Sequence, residues 1–440
     1  MIKSKYSLSD DEKNELSEIF GKRVNFSKRE RHYYTHDVGT MPSLIKPLLG
    51  KVEPAAIVKV SNEEEAIKLI KFANKNLIPI VPRAGASSGY GGVIPTKGGV
   101  VADVTLMNKI IELDEDNLTA TVGAGIVWEQ LESKLRLKGL ALRAVPSSAP
   151  SSTVGGWLAQ TGIGYGSYEY GWSYNTMESA RVVLPTGEVE EFSSIDLDNI
   201  SGTMGTTGII TQVRIKIRKY ENTTATSAEF PDALSMKNAI KAVGEKNIPV
   251  WAISFLNPSW ADMKNRAPSK THQDHPLNEH RPMLPVSYIL NFVYPESRDV
   301  SGLKDAIINA GGTVLPDEIA KHETEEWYRS MKVKRLGPSF VPAEVLVPVD
   351  NIDKVLNEIE HKISLPVMVE GMVSNDNMAT LLCFIPHSER SFRFNLAFPL
   401  ALSIIKMAQN NGGTNILVRA IFCKTGRYCI WRTFYPYSGI

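Results

Sequence analysis

Hydrophobic residues occur in short runs over the first half of the chain, separated by polar and glycine-rich stretches. Runs of this kind predict buried strands, at 53–60, 77–81, 99–104, 180–184 and 211–217. Between the first two runs, apolar residues repeat at helical spacing over 62–76. Ser61 is the expected N-cap of this helix, with Glu64 as its capping-box partner. The pattern also predicts a helix over 7–20 and a loop over 31–39.

Beyond Tyr220 glycine becomes rarer, and helices alternate with longer strands. The β-α-β-β-α-β order of these elements favours an antiparallel sheet with helices on one face, which is a ferredoxin-like arrangement. The most apolar helical stretch, within 391–411, contains Arg393, Asn395 and Lys406. We therefore expect a buried amphipathic helix there rather than a membrane span.

Composition restricts the possible functions. The 440-residue chain is 43% hydrophobic and 22% charged, with 49 Lys and Arg against 48 Asp and Glu. A net charge of +1 gives no indication of a nucleic-acid or anionic-membrane partner. The three cysteines have no metal or redox spacing, which fits a reducing compartment. The N-terminus lacks the apolar core of a signal peptide. We expect a cytoplasmic protein, with peripheral attachment to the inner face of a membrane as an alternative.

The glycine-rich stretch Pro82–Gly99, with sequence PRAGASSGYGGVIPTKGG, follows a predicted strand. Glycine permits positive φ and close approach of a ligand to the main chain. Consecutive exposed N–H groups form an anion-binding concavity, and Arg83 adds positive charge. A diphosphate is the ligand that this chemistry favours, and an ordinary surface loop is the alternative.

Two further segments share this composition. Residues 146–171, PSSAPSSTVGGWLAQTGIGYGSYEYG, and residues 201–210, SGTMGTTGII, both lie beside predicted strands. Three such loops in one region predict a long ligand held along its whole length.

These three segments, in this order and spacing, carry a family resemblance. The region from about Pro54 to Tyr220 resembles the FAD-binding domain of the vanillyl-alcohol oxidase and p-cresol methylhydroxylase (PCMH) flavoproteins. Within that group the chain is similar to the FAD subunit of glycolate oxidase and to D-lactate dehydrogenases. The implied fold is α+β, with a two-subdomain PCMH-type FAD-binding domain and an α+β, ferredoxin-like cap domain. The implied boundaries are 1–222 for the FAD-binding domain, 223–415 for the cap, and 416–440 for a tail that returns to the FAD domain.

The resemblance implies that the first loop holds the FAD diphosphate, the second follows the ribityl chain and isoalloxazine, and the third lies near adenine and the ring. Some relatives attach the flavin through a histidine in the first loop. Ser87 occupies that position here, so we expect noncovalent FAD. The implied FAD-binding residues are Pro82, Arg83, Ala84, Gly85, Ala86, Ser87, Ser88 and Gly89; Pro146, Thr153, Gly155, Gly156, Gly162 and Gly166; and Gly205, Gly208, Ile209 and Ile210.

From about Ser227 to Gln409 the chain resembles the cap domain of this family more loosely. The block 327–348, from Trp327 to Pro348, fits a family pattern with an arginine and an acidic residue before Val-x-Pro. Relatives hold a divalent metal with a Gly-His-x-Gly-Asp-Gly-Asn-x-His motif. Met372 and Ala379 replace its two histidines here, so no bound metal is expected. His272, His275 and His280 are close in sequence, but a solvated loop is the favoured interpretation.

The resemblance implies oxidation of a small 2-hydroxy acid, such as D-lactate or glycolate, by hydride transfer to flavin N5. An arginine suits the substrate carboxylate, and histidine or another base removes the hydroxyl proton. The candidate catalytic residues are Arg329, Arg335, Arg427, His387 and Glu370, with Tyr428 as a further alternative for the base. Electrons would pass to an iron–sulfur partner or to a quinone, because the chain has no cluster motif.

Two other functions fit the same residues. One is a flavoenzyme that acts on a different alcohol, a sugar or an alkyl-glycerol phosphate. The other is a non-catalytic FAD-carrying subunit of a larger dehydrogenase complex. The sequence is also compatible with an oligomer and does not identify its order.

Overall fold

A computed structural model describes residues 7–39, 53–267, 282–337, 339–388 and 394–415. These residues form two units, of which the first comprises the chain up to 162 together with 173–219. The second comprises 163–172 and the described residues from 220 to 415. The change at 219/220 lies close to the expected boundary at 222/223, whereas the sequence does not indicate that 163–172 joins the second unit. The expected tail, 416–440, lies outside the described residues.

The first unit contains two sheets. The first sheet has the order β1-β2-β4-β3, with parallel pairs on either side of β4. Its strands are β1 Val24–Asn25, β2 Ala56–Lys59, β3 Ile80–Arg83 and β4 Val100–Asp103. The second sheet is antiparallel, with the order β5-β6-β10-β8-β9 and with β7 also paired to β10. Its strands are β5 Ile110–Asp114, β6 Thr119–Gly123, β7 Leu140–Leu142, β8 Met177–Val183, β9 Val189–Ser193 and β10 Ile209–Lys219.

Helix α3 joins the two sheets of the first unit. Its apolar face, which includes Leu69, packs in one core cluster with Val58 of β2 and Val183 of β8. The helices of this unit are α1 Asp10–Phe20, α2 Lys28–Tyr33, α3 Glu63–Asn76, α4 Trp128–Arg136 and α5 Val154–Gln160.

The start of α3 differs from the sequence prediction. Asn62, not Ser61, is the N-cap, and its side chain accepts a hydrogen bond from the Glu65 amide. The Ser61 hydroxyl instead donates to the Glu65 carboxylate. The predicted capping box with Glu64 is therefore wrong by one position. Short polar residues at consecutive positions compete for the same amide, and sequence alone does not decide between them.

The second unit contains one antiparallel sheet with the order β14-β11-β13-β12-β16-β17-β15-β18. Its strands are β11 Thr223–Phe230, β12 Ala252–Leu256, β13 Tyr288–Pro295, β14 Thr313–Val314, β15 Ser339–Pro348, β16 Met368–Val373, β17 Met378–His387 and β18 Thr414–Asn415. Its helices are α6 Ser167–Tyr170, α7 Ala233–Glu245, α8 Pro258–Arg266, α9 Leu303–Asn309, α10 Asp317–Glu325, α11 Ile352–Lys362 and α12 Phe394–Asn410.

The two faces of this sheet have different coverings. One face packs against α7, α9, α11 and α12 in a large apolar core. On the other face, α8, α10 and the 3-10 segment Trp327–Leu336 form a smaller cluster. Helix α12 buries Ala397 and Ile404 in the large core, which confirms the amphipathic helix predicted there. Within the described ranges, no helix has the length and apolar character needed to cross a membrane.

Residues 163–172 are attached to the second unit by several polar contacts. The Trp172 indole donates to Asp376 Oδ2 at 2.8 Å. The Asn375 amide donates to the Ser167 carbonyl at 3.2 Å. Arg298 forms an ion pair with Glu169 at 2.7 Å. This segment is therefore part of the second unit although the chain on both sides belongs to the first.

Glu63 provides a test of the contact between α3 and the second sheet. Its carboxylate pairs with Arg181 at 2.7 Å and accepts a hydrogen bond from Thr211 Oγ1 at 2.8 Å. The Arg181 hydrogen bond is the main cause that holds the pKa of Glu63 below its usual range; burial opposes this and Thr211 adds to it.

We expect Glu63→Gln to lower the unfolding free energy at pH 7 by about 0.5–1 kcal/mol, since Arg181 is half-exposed. Because a depressed pKa stabilises the folded state only above the unfolded value of about 4.3, the difference should shrink as pH falls below that value. Thermal melts of Glu63→Gln and of the exposed control Glu64→Gln across pH 3–8 measure this. A deficit that does not change with pH would contradict the assignment.

Candidate functional site

The three glycine-rich loops of the first unit lie against one another. A Cβ at Gly85 would lie 2.2 Å from the Ser151 carbonyl oxygen, so the first loop touches the second through bare backbone. A Cβ at Gly205 would lie 3.5 Å from the Pro82 side chain, which brings the third loop to the first. The Met204 amide donates to the Ala159 carbonyl at 2.8 Å and connects the third loop to the second. The three segments singled out by composition thus converge.

The first loop presents donors that the protein does not use. In the part of the chain that the structure describes, the backbone N–H groups of Gly85–Gly89 donate to no protein acceptor. Ala86 lies in the left-handed region with φ +49°, a conformation that costs energy for a residue with a Cβ. A run of unpaired amides in such a loop fits the oxygens of a diphosphate.

Arg83 is directed away from these amides toward the N-terminal segment. It is 7% exposed, and its Nη1 donates to the His36 carbonyl at 2.9 Å. Its guanidinium lies 4.9 Å from the centre of the Tyr34 ring. Burial lowers the pKa of Arg83, while Tyr34, Asp103 and Asp37 act in the opposite direction. These contacts support a structural role for Arg83, and direct binding of phosphate by it remains a prediction.

The second segment contributes tight backbone packing. Thr153 caps α5, with its Oγ1 accepting from the Gly156 amide at 3.2 Å. A Cβ at Gly155 would lie 2.6 Å from the Ala124 side chain, so the start of α5 requires glycine there. The Pro146 carbonyl accepts from the Ala149 amide at 3.0 Å. The segment then divides, because Gly162 belongs to the first unit and Gly166 to the second.

The third segment contains two consecutive left-handed residues, Met204 at φ +51° and Gly205 at φ +78°. A Cβ at Gly208 would lie 2.4 Å from the Val183 carbonyl oxygen, which fixes the approach to β10. Ile209 is buried in the core cluster of α3, whereas Ile210 is partly exposed. Of these two isoleucines, both implied to bind FAD by the resemblance, Ile210 is the more accessible.

In the second unit, Glu370 forms part of a buried aromatic and polar cluster. It is 6% exposed and lies on β16, on the face opposite the large core. Its Oε1 accepts a hydrogen bond from the Tyr165 hydroxyl at 3.2 Å. The Tyr165 ring stacks on Trp327 at 4.0 Å with an interplanar angle of 7°. Burial, followed by the Glu370 charge, raises the pKa of Tyr165 well above its usual range, so this hydroxyl stays protonated.

Sequence reasoning did not identify Tyr165 as a functional residue. It is one of several aromatic residues in the stretch 163–172, and nothing in its neighbours distinguishes it. Only the fold reveals that it contacts a strand about two hundred residues later. Trp327, by contrast, belongs to the predicted block 327–348.

Of the other catalytic candidates, Arg329 and His387 are among the described side chains. Arg329 is 57% exposed in its side chain and pairs with Glu326 at 3.6 Å. His387 ends β17, and its Nδ1 accepts from the Ser388 amide. It is five residues from Leu382, the partner of Glu370 in the sheet, or about 17 Å at ~3.3 Å per residue. The Arg335 side chain, Arg427 and Tyr428 are not among the described groups.

The positions that replace the family's metal histidines do not face each other. Met372 pairs with Thr380, and Ala379 pairs with Val373, in the hairpin of β16 and β17. Because directly paired residues share a face, Met372 and Ala379 point to opposite sides of the sheet. Ala379 lies in the large core. His272, His275 and His280 lie outside the described residues.

Comparison with known proteins supplies the class. Residues 54–193 match the family described as FAD binding domain. Backbone packing of three glycine loops, unpaired amides in the first loop and this match together define an FAD-binding domain, with FAD as its cofactor.

Two curated relatives are similar to part of this chain. The chain is 31% identical over 225 residues to D-lactate dehydrogenase of Archaeoglobus fulgidus, covering 49% of this chain and 50% of the relative. It is 30% identical over 204 residues to glycolate oxidase subunit GlcD of Bacillus subtilis, covering 42% and 43%. The chain thus spans about half the length of these relatives or less.

The fold is shared with p-cresol methylhydroxylase. Its crystal structure with bound substrate aligns with a TM-score of 0.75 over 93% of this chain and 90% of that chain, at 15% identity. The predicted α+β fold of PCMH type is confirmed, and so is the resemblance inferred from the three loops.

The contact between Gly85 and Ser151 can be tested directly. Gly85→Ala should weaken FAD binding roughly tenfold to a hundredfold, because the new methyl group would separate the first two loops at a cost of about 1–3 kcal/mol. Gly139→Ala is the control, since a Cβ at Gly139 would meet open space and its φ of +70° adds backbone strain alone.

We expect Gly139→Ala to lower the melting temperature without changing FAD affinity. Titration of the apoprotein with FAD, followed by flavin fluorescence, measures both variants. Equal affinity in Gly85→Ala and wild type would show that this contact does not shape the site.

Proposed function

We propose that the chain is an FAD-linked oxidoreductase that oxidises the CH–OH group of a small 2-hydroxy acid, such as D-lactate or glycolate. The observation that carries the FAD site is the set of unpaired amides at Gly85–Gly89, held where three loops converge. The substrate class rests on the names of the D-lactate dehydrogenase and glycolate oxidase relatives.

The first loop would hold the FAD diphosphate through its main-chain amides. Glycine at 85, 155 and 208 keeps neighbouring backbones in contact and gives the site its shape. Ser87 stands where some relatives have a histidine, so we propose that the flavin is held without a covalent bond. When bound, FAD supplies a two-electron acceptor that takes a hydride at N5.

Residues of the second unit would act on the substrate. Glu370 is proposed as the base that takes the hydroxyl proton, because a buried carboxylate is suited to accept a proton in an apolar setting. Tyr165, protonated and hydrogen-bonded to Glu370, would orient this carboxylate. Arg329, two residues from the stacked Trp327, is the proposed partner of the substrate carboxylate. Arg335, Arg427 and His387 remain predictions for the same tasks.

Electrons are proposed to leave through a partner that carries an iron–sulfur cluster or through a quinone. Reduced flavin must be reoxidised for turnover, and the chain has no cluster motif of its own.

One observation favours a second candidate. Met372 and Ala379 lie on opposite faces of the sheet, so these positions do not reproduce the metal pair of the family's 2-hydroxy acid dehydrogenases. The alternatives are a flavoenzyme for another alcohol, a sugar or an alkyl-glycerol phosphate, and an FAD-carrying subunit without activity of its own.

Anaerobic reduction of the purified holoprotein distinguishes these functions. We expect the visible flavin absorbance to bleach with D-lactate or glycolate, because electrons from the substrate reduce the ring. Bleaching by an alcohol or sugar alone would favour the second substrate class. Reduction by dithionite but by no member of the panel would favour a carrier subunit, and absence of bound flavin would refute the FAD assignment.

The role of Glu370 is tested by Glu370→Gln. The amide cannot accept the hydroxyl proton, so we expect the rate of flavin reduction to fall about 100-fold or more with FAD affinity unchanged. Glu325→Gln makes the same change of charge at an exposed position of the same unit and should reduce at the wild-type rate. Stopped-flow absorbance gives both rates, and an unaffected Glu370→Gln would exclude this carboxylate as the base.

A further inference from the structure

The segment Tyr34–Gly39, which we call the bracing segment, contacts the first glycine loop on either side of its unpaired amides. At the start of the loop, Arg83 donates to the His36 carbonyl at 2.9 Å. At the far side, the Gly91 amide donates to Asp37 Oδ2 at 2.7 Å. The unpaired amides of Gly85–Gly89 lie between these two attachments in the chain. The bracing segment precedes the part of the chain that matches the FAD-binding family, which begins at residue 54.

Asp37 makes the attachment at the far side. Its two carboxylate oxygens accept from different amides, with Oδ1 bonded to the Gly39 amide at 2.8 Å and Oδ2 to the Gly91 amide. A Cβ at Gly39 would lie 2.4 Å from the Gly89 carbonyl oxygen, so the bracing segment lies directly on the loop backbone. Charge-assisted bonds of this kind are stronger than bonds between neutral groups.

A buried network makes the attachment at the start of the loop. The Tyr34 ring lies beneath the Arg83 guanidinium, and its hydroxyl donates to Asp103 Oδ2 at 2.5 Å. Asp103 also accepts from the Thr105 amide and hydroxyl through Oδ1. The side chains of Tyr34, Arg83 and Asp103 are all buried, so this end of the loop is fixed to β3 and β4. The two attachments leave only the middle of the loop to adapt.

We propose that Asp37 is a positioning residue for FAD, which holds the first loop in its binding conformation without contacting the cofactor. This inference rests on the proposed FAD site. A loop segment fixed on both sides of its ligand-binding amides loses less conformational freedom when a ligand binds, and the smaller entropy loss increases the affinity. A carboxylate in direct contact with a diphosphate would repel it, so the effect of Asp37 is exerted through the Gly91 amide.

Asp37→Ala, Asp37→Asn and the control Val38→Ala test this proposal. Val38 is adjacent and 56% exposed, and it therefore reports the effect of any small truncation in the bracing segment. We expect Asp37→Ala to bind FAD about tenfold or more weakly, mainly through faster release of the flavin. Asp37→Asn keeps one carbonyl oxygen as an acceptor and should be intermediate, and Val38→Ala should bind like wild type. Flavin fluorescence gives the affinities and release rates, and thermal melts of the apoproteins give stability.

Wild-type affinity in Asp37→Ala would overturn the proposal. Tighter binding in both Asp37 variants would also overturn it, since the carboxylate would then act only by repulsion. If Asp37→Ala does not fold, Asp37→Asn decides: weaker binding with a melting temperature equal to that of Val38→Ala supports positioning, and unchanged binding refutes it. Failure of the proposed FAD site is distinguishable, because the wild-type protein itself would then bind no flavin.

Discussion

The first glycine loop lies against the main chain at Ser151 with no side chain between them, and the shape of the proposed FAD site depends on this contact. Backbones can approach this closely only where a Cβ is missing, and the same condition recurs where Gly155 meets Ala124 and Gly208 meets Val183. The loop that makes the Gly85 contact also carries the unpaired amides of Gly85–Gly89.

The sequence predicts this arrangement well because its determinants are local. Glycine content and the strands beside each loop follow from short-range pattern, and the FAD-binding class follows from the family resemblance that the three loops carry. Features that depend on distant partners were not predictable. The proposed role of Tyr165 depends on its hydrogen bond to Glu370. The position of 163–172 in the second unit depends on contacts with Asp376 and Arg298. The N-cap prediction at Ser61 was wrong because Asn62 offers an equivalent side-chain acceptor one residue later.

The proposed sites in the two units use different kinds of polar group. In the first, the cation that the sequence offers to a phosphate, Arg83, is occupied by the His36 carbonyl and the Tyr34 ring. In the proposed site, fixed main-chain dipoles would provide the attraction, and they need no rearrangement when an anion binds. In the second unit, the charge of Glu370 is buried beside a stacked aromatic pair. The proposed anion-binding loop therefore relies on neutral main-chain groups, whereas the proposed chemistry relies on an ionisable side chain.

Residues 163–172 belong to the second unit but lie in sequence between two parts of the first. This arrangement limits the recombination events by which such a protein can evolve. A fragment that ended near residue 219 would carry Trp172 and Glu169 without Asp376 and Arg298, their partners. Fusing the first unit to an unrelated substrate domain would leave the same aromatic segment without a surface to pack on. Exchange of the second unit by recombination would require three junctions, at 162/163, 172/173 and 219/220, instead of one, so divergence by point substitution within the existing second unit is the easier route to a new specificity.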